Sequence, residues 1–361
     1  MTTFAIPNRM CLSGLHDLLK ALPKCEHHMH IEGALTPKLL FSLAKKNNIS
    51  LPNDDPAFSS IEALVDRYNR FLSLDDFLHY YYIGMSVLIE QSDFEALAWD
   101  YFEHASADGV VHAELFFDPQ AHLSRGISYD VVLSGLTAAK KRALTAFGIS
   151  SELICCFLRH LPVPECMRTF ALPEIQQSFK NGAVIGMGLD SSELPFPPEN
   201  FEPIYELAKT NGLKRTAHAG EEGPVTYIKN ALDVLNIERI DHGIRLADDP
   251  DLLRTVAERG IMLSVCPLSN VLLRCVQSVS QLPIKQFLQA GVQFSINSDD
   301  PAYFGNNYIL SNYCAVQEAF DLSVDEWDVI CKSAIRGSWC SAERKDEMLA
   351  KLKEVIDHWA R

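Results

Sequence analysis

Lys214-Arg215-Thr216-Ala217-His218-Ala219-Gly220-Glu221 is a short extended run that closes on an imidazole, a glycine turn and a carboxylate. Taken alone, a His beside a loop Glu is an ordinary polar pair near a surface. Three other stretches repeat the arrangement: His28-Met29-His30 near the N-terminus, Arg239-Ile240-Asp241-His242-Gly243 just downstream, and Asn297-Ser298-Asp299-Asp300-Pro301 late in the chain. Each closes a short apolar or β-branched run, and that recurrence decides the fold.

Working outward, strand-like runs also occupy 109–119, 153–159, 183–189 and 261–270, the last broken by Pro267. With the four opening stretches this makes eight strands from Lys24 to Pro301. Helical patterns separate them. Thr36 caps and Pro37 starts a helix carrying Leu39, Leu40 and Leu43, and one long helical pattern runs from Ile61 to about Trp99. Further helices are predicted at 129–147, 164–180, 203–211, 225–235, 249–259 and 283–290. Strands alternating with helices predict a TIM (β/α)8 barrel, with extra helices before strand 2 and at the C-terminus and a site at the C-terminal ends of the strands. The final helix, 324–361, carries Met348, Leu352, Val355 and Trp359 as a stripe for packing on the barrel. No repeat, low-complexity tract or linker interrupts the chain, so residues 1–361 are expected to form a single domain.

The composition narrows the function classes. The chain has 361 residues, 47% hydrophobic and 22% charged, enough for a large core, and a formal net charge of -15 that argues against a nucleic-acid partner. A small neutral ligand suits it better. Met1–Pro7 lacks a basic region followed by an apolar core, and no segment is apolar enough to span a membrane. No membrane contact and a cytoplasmic or nuclear location are therefore expected. The ten cysteines lie mostly in apolar runs and include no Cys-x-x-Cys, so buried thiols are expected rather than a thiolate zinc site.

The chemistry follows from the strand ends. In an extended segment His28 and His30 share a face and His27 points away, so His28 and His30 can share an ion while His27 is structural. His112 and Glu114 also share a face, but they are expected to satisfy one another rather than bind metal. If strands one, five and eight bring His28, His30, His218 and Asp299 to one rim, three imidazoles and a carboxylate make a catalytic zinc site, one Zn2+ per chain. Glu221, past the Ala-Gly turn, is placed as a proton shuttle, and His242 at the next strand end as the residue that orients or deprotonates the water. Of the adjacent Asp299 and Asp300, one is expected to ligate and the other to be free for substrate.

His28-x-His30, His218-Ala-Gly-Glu221, Ile240-Asp-His242-Gly and Ser298-Asp-Asp300-Pro, in this order, resemble the adenosine and adenine deaminase family of metal-dependent hydrolases. The resemblance runs from about Leu22 to the last barrel strand. It implies zinc held by His28, His30, His218 and Asp299, with Glu221 as the acid, His242 beside the water and Asp300 gripping the purine. It also implies attack of water at C6, protonation of N1 by Glu221, and loss of ammonia. Nucleoside deaminases typically follow the His-x-His pair with Asp-Gly, where this chain has Glu32-Gly33, whose longer side chain would take up room at the sugar's place. The strand-four turn reads Asp190-Ser191-Ser192-Glu193 rather than Asp-Leu-Ala-Gly-Asp-Glu, so the family's glycine contact to the purine has no counterpart here. Lys24-Cys-Glu-His-His, Cys266-Pro-Leu-Ser-Asn270 and Asp300-Pro-Ala-Tyr-Phe304 look like the fungal-type adenine deaminases. Free adenine, a small purine base, is thus the expected substrate, and hypoxanthine the product, in purine salvage. The alternatives are a deaminase of adenosine or of an N6-substituted purine nucleotide, and a barrel that binds purines without turnover.

Overall fold

The computed structural model describes residues 11–359, so Met1–Pro7, read above for a leader, lies outside the described residues. Eight parallel strands follow one another around the sheet in chain order: β1 (Lys24–His30), β2 (Val110–Phe117), β3 (Ser150–Leu158), β4 (Gly186–Asp190), β5 (Lys214–Ala219), β6 (Arg239–His242), β7 (Met262–Val265) and β8 (Phe294–Ile296). The ring is nearly closed. At its mouth His30 N–H donates to Asp299 O (3.0 Å) and Asp299 N–H to His28 O (3.1 Å), joining the end of β1 to the chain just beyond β8. The expected (β/α)8 barrel is therefore the observed architecture, with helices between the strands.

Strand positions agree with the sequence reading, whereas several helices are more divided than periodicity alone indicates. The pattern over 61–99 is three helices, Ile61–Tyr68, Leu74–Met85 and Gln91–Ala107. Each restarts at its own cap: Ser60 Oγ accepts from Ala63 N–H, Ser73 Oγ from Asp76 N–H, and Glu90 with Asp93 forms a capping box. Likewise 164–180 is two helices, Val163–Phe170 and Pro173–Lys180, because Pro173 lacks the N–H needed to continue the first and is suited to start a second. Pro267, read as a break in a strand, instead opens the helix Pro267–Leu272. The C-terminal helix divides into Val324–Gly337 and Ala342–Trp359, and Trp339 in the gap packs against Phe116, Ile154 and Cys156.

Two structural expectations are met. His27 Nε2 lies 2.8 Å from Ser338 Oγ, and His112 Nε2 lies 3.2 Å from Glu114 Oε1. Glu114 also pairs with Arg239 (2.6 Å), so this buried set closes on itself away from the strand ends. The cysteines are mostly buried. Among the described residues no helix is long and apolar enough to cross a membrane.

Candidate metal centre and active site

Ring nitrogens of His28, His30 and His218 and a carboxylate oxygen of Asp299 lie within 4.8 Å of one another, all buried. His30 Nε2 and His218 Nε2 face each other at 3.2 Å, while Asp299 Oδ1 is 3.1 Å from His28 Nε2 and 3.5 Å from His30 Nε2. Two ligands about 2.0–2.1 Å from a tetrahedral ion stand roughly 3.3 Å apart, so these spacings match edges of such a polyhedron. His28 Nε2 is buried with no hydrogen bond to satisfy it, as expected of a lone pair reserved for a cation. The donor set therefore fits a divalent ion. Cys266 is near enough to join a second grouping with His242, but burial raises its thiol far above the ordinary range and its Sγ donates to Ser264 O (3.7 Å). A neutral thiol is a poor ligand.

Carboxylates stand behind the three imidazoles. Asp241 Oδ2 is 3.7 Å from His218 Nδ1, its Oδ1 accepts from Ser264 Oγ (2.9 Å), and Ser264 Oγ in turn lies 3.0 Å from His28 Nδ1. Asp190 Oδ2 is 3.5 Å from His30 Nδ1. Acceptors on the Nδ1 side favour the tautomer that leaves Nε2 free for a cation. Burial lowers the His30 pKa to about 3 and drives that of His218 well below its usual value, so both are neutral and able to ligate.

His242 and Asp299 each have positive φ (60° and 65°), uncommon for residues with side chains. An extended chain would send Asp241 and His242 to opposite faces. The left-handed turn at His242 lets both serve the site. The same twist answers the question left at Asp299-Asp300: the strand has already ended at Ile296, so both acids line the cavity, with Asp299 in the ligand group and Asp300 beside it. Gly33 makes room for this, because a Cβ there would sit 2.2 Å from Asp300 Oδ1 and 2.6 Å from Asp300 Cα.

Glu221 Oε2 lies 3.6 Å from His242 Nε2. Burial, then the neighbouring Asp299 carboxylate, holds the Glu221 pKa well above the usual carboxylate range, which favours its acid form. Asp300 is raised likewise by burial and then by Asp299. Asn270 Nδ2 donates to His242 Nδ1 (3.2 Å), placing that ring's single proton on Nε2, toward Glu221 and toward Asp299 Oδ2 at 3.8 Å.

All seven singled-out residues meet here: His30, His218, Glu221, His242, Asp299 and Asp300 line one cavity, and His28 closes the ligand set. Several contributors were not foreseen. Glu193 accepts four backbone N–H bonds, from Gly220 (2.7 Å) to one oxygen and from Glu221 (3.0 Å), Glu222 (2.8 Å) and Gly223 (2.7 Å) to the other. It thus clamps the turn that carries Glu221. Asp190 and Asp241 stood inside the quoted motifs, and their place one residue before a turn was the available signal. Asp118, at the end of β2, lines the cavity with no sequence signal beyond the Asp-Pro that ends its strand. Glu32 corrects an expectation: its Oε1 accepts from Asp118 N–H (3.1 Å) and lies 2.8 Å from His122 Nε2. It stands behind Asp118 and does not line the cavity, whereas Asp118 and Asp190 do.

With this geometry in place, comparison with known proteins is informative. A family model described as adenosine deaminase matches residues 23–355. An adenine deaminase of Aspergillus fumigatus is 58% identical over 351 residues, covering 97% of this chain and 98% of that protein. One from Schizosaccharomyces pombe is 56% identical over 345 residues, covering 96% and 94%. Among solved structures, an adenine deaminase from Arthrobacter aurescens superposes with a TM-score of 0.87 at 41% identity, covering 93% of this chain and 99% of that one. A Burkholderia ambifaria amidohydrolase with bound zinc gives 0.85 at 26% identity, covering 99% and 96%.

Proposed function

From the premise that the chain belongs to the adenosine deaminase family, we propose that it hydrolyses free adenine to hypoxanthine and ammonia at a zinc centre held by His28, His30, His218 and Asp299. The observation that carries this reading is the convergence of three imidazoles and a carboxylate in the cavity that buried Glu221 also lines. Substrate and reaction rest on the adenine deaminases that match at 56–58% identity over nearly the full chain. Zinc rests on the donor set and on the zinc-containing neighbour.

A divalent ion held by His28, His30, His218 and Asp299 would lower the pKa of a water to about 7, making hydroxide available at neutral pH. The protein's side chains do the rest. Adenine C6 becomes electrophilic only when N1 is protonated, and Glu221 has the proton to give. His242, with its proton on Nε2, orients the attacking water by donating toward it. Of that water's two protons, one restores the acid form of Glu221 and the other leaves with the exocyclic amine as ammonia. Asp300, its Oδ1 buried and unpartnered, is free to grip the purine edge. The aromatic wall of Phe77, Tyr81 and Tyr82 excludes bulk water from the ring.

The test is ammonia release from adenine, adenosine and AMP, run with and without a chelator. Adenine is expected to be strongly preferred, with activity lost on chelation and restored by zinc. A preference for adenosine would overturn the substrate, and activity indifferent to chelation would overturn the metal.

A further inference from the structure

Glu193 fixes the backbone that carries Glu221 and leaves the carboxyl group itself free to turn. A second residue reaches that group. Cys275 Sγ lies 3.8 Å from Glu221 Oε1, within range of an S–H···O bond, while Oε2 faces His242. Among the described residues this is the only hydrogen bond that the Glu221 side chain makes. Burial, then the nearby Glu221, raises the Cys275 pKa far above its ordinary value, so the sulfur keeps its hydrogen and donates. Cys275 is half-buried, and among the described residues it joins no grouping of side chains that could hold a metal.

The chain around Cys275 is built to hold the thiol in place. Cys275 follows the short helix Pro267–Leu272, and Arg274 just before it has φ of 68°, a left-handed conformation that is costly for a residue with a side chain. Such a turn persists where its surroundings enforce it. Arg274 Nε donates to Phe71 O (3.2 Å), Arg245 Nη2 to Cys275 O (2.9 Å) and Val276 N–H to Asn270 O (3.0 Å). Arg245 also donates its backbone N–H to Gly220 O (3.1 Å), so one residue pins the Cys275 segment to the turn that carries Glu221. Asn270, in the same connection after β7, donates to His242 Nδ1 (3.2 Å). This connection supplies none of the four metal-type ligands, yet it aims one donor at His242 and one at Glu221.

Resting on the reading of Glu221 as the acid, we infer that Cys275 is a positioning residue whose thiol engages Oε1 and so presents Oε2 to the reacting atoms. The two oxygens of a carboxyl group are equivalent until something distinguishes them. A donor on Oε1 does so. Oε1 accepts whether Glu221 is acid or carboxylate, and the proton that passes from water to ring travels on Oε2, the oxygen beside His242. Without the thiol the group swings, and a rotation must be reversed before each transfer. Turnover falls and binding does not, because Cys275 acts through Glu221 rather than on the purine or the cation.

The experiment measures kcat and KM for adenine against pH with the metal-loaded enzyme, Cys275→Ala and Cys275→Ser, checking metal content and thermal unfolding of each. Losing one neutral hydrogen bond is worth about five- to tenfold, so Cys275→Ala should lower kcat by that much and leave KM within about twofold. Cys275→Ser keeps a donor and should stay within about threefold of the unaltered enzyme. The thiol bond favours the Glu221 carboxylate, whereas Asp299, Glu193 and Glu222 disfavour it and stay in place. Its removal should therefore move the alkaline limb of kcat/KM to higher pH, a shift that general damage would not produce. The inference is overturned if Cys275→Ala keeps its kcat, if the loss falls on KM, or if the serine variant is no better than the alanine one. A readout independent of turnover is the S–H stretching band that either substitution removes from the Raman spectrum. That band should shift in Glu221→Gln, and a band indifferent to Glu221 also overturns the inference. No turnover of adenine by the unaltered enzyme would refute the substrate reading and not this contact, which the Raman band still decides.

Discussion

Replacing Glu193 by Gln tests how the acid is held in place. The carboxylate receives four N–H bonds at 2.7 to 3.0 Å, three of them on one oxygen. The amide's better orientation keeps its oxygen under those three and turns its NH2 toward Gly220 N–H, donor against donor. Hydrogen bonds to a charged group are worth roughly 1.5–3 kcal/mol and neutral ones about 1, while a buried N–H left unpaired costs roughly 1–3. The substitution thus removes on the order of 4–6 kcal/mol from the turn carrying Glu221. A catalytic group displaced by about 1 Å forfeits about 10² in rate. The expected outcome is a kcat lowered about 100-fold or more with metal content unchanged, since the ligands sit on the strands and on Asp299. A pH profile separates positioning from general damage. The Glu193 charge contributes, after burial and Asp299, to holding the Glu221 pKa up, so its removal lowers that pKa and moves the alkaline limb of kcat/KM to lower pH. A kcat within about threefold of the unaltered enzyme, or an alkaline limb that stays put, would refute the reasoning.

Glu221→Gln is expected to retain metal by elemental analysis but lose about 10²–10⁴ in kcat, because an amide cannot deliver the N1 proton. In the unaltered enzyme the acid form is the working one, so activity should decline as pH rises through the elevated Glu221 pKa. Gly33→Ala places a Cβ 2.2 Å from Asp300 Oδ1 and close to its backbone, so Asp300 must shift; kcat/KM for adenine should drop at least tenfold with metal retained, and a normal value would remove Asp300 from substrate contact. Far from the site, burial lowers the Lys24 pKa to about 8. Between that value and about 10.5 the unfolded chain binds more protons than the folded one, so this group's contribution to stability rises with pH there. Denaturant unfolding of Lys24→Met against the unaltered protein should show the latter gaining up to about 3 kcal/mol relative to the variant across that window, and a pH-independent difference would count against it.

The strands and the ligand set were legible because each ligand ends an apolar run, and a barrel gathers such ends at one rim. Caps explain what periodicity hid: Ser60, Ser73 and the Glu90–Asp93 box divide one apparent helix into three, since a side-chain oxygen that satisfies a free N–H resets the register without disturbing the spacing of apolar residues. The supporting acids were harder to see. Asp241 and Glu193 act through ring or backbone nitrogens far away in sequence; a place before a turn marked Asp241, but a linear chain does not name the partners that come from another strand. Glu32 shows the opposite error, a correct position with the wrong direction, because its carboxylate turns toward Asp118 N–H and His122 rather than into the cavity.

The seam between β1 and the chain after β8 is stitched by His30 N–H to Asp299 O and Asp299 N–H to His28 O. First and last turns of the cylinder therefore meet through the backbones of the very residues whose side chains converge on the candidate cation. An ion held by these side chains would rivet the join, reinforced from β5 by His218. A substitution that loosens this seam should therefore also weaken ion binding.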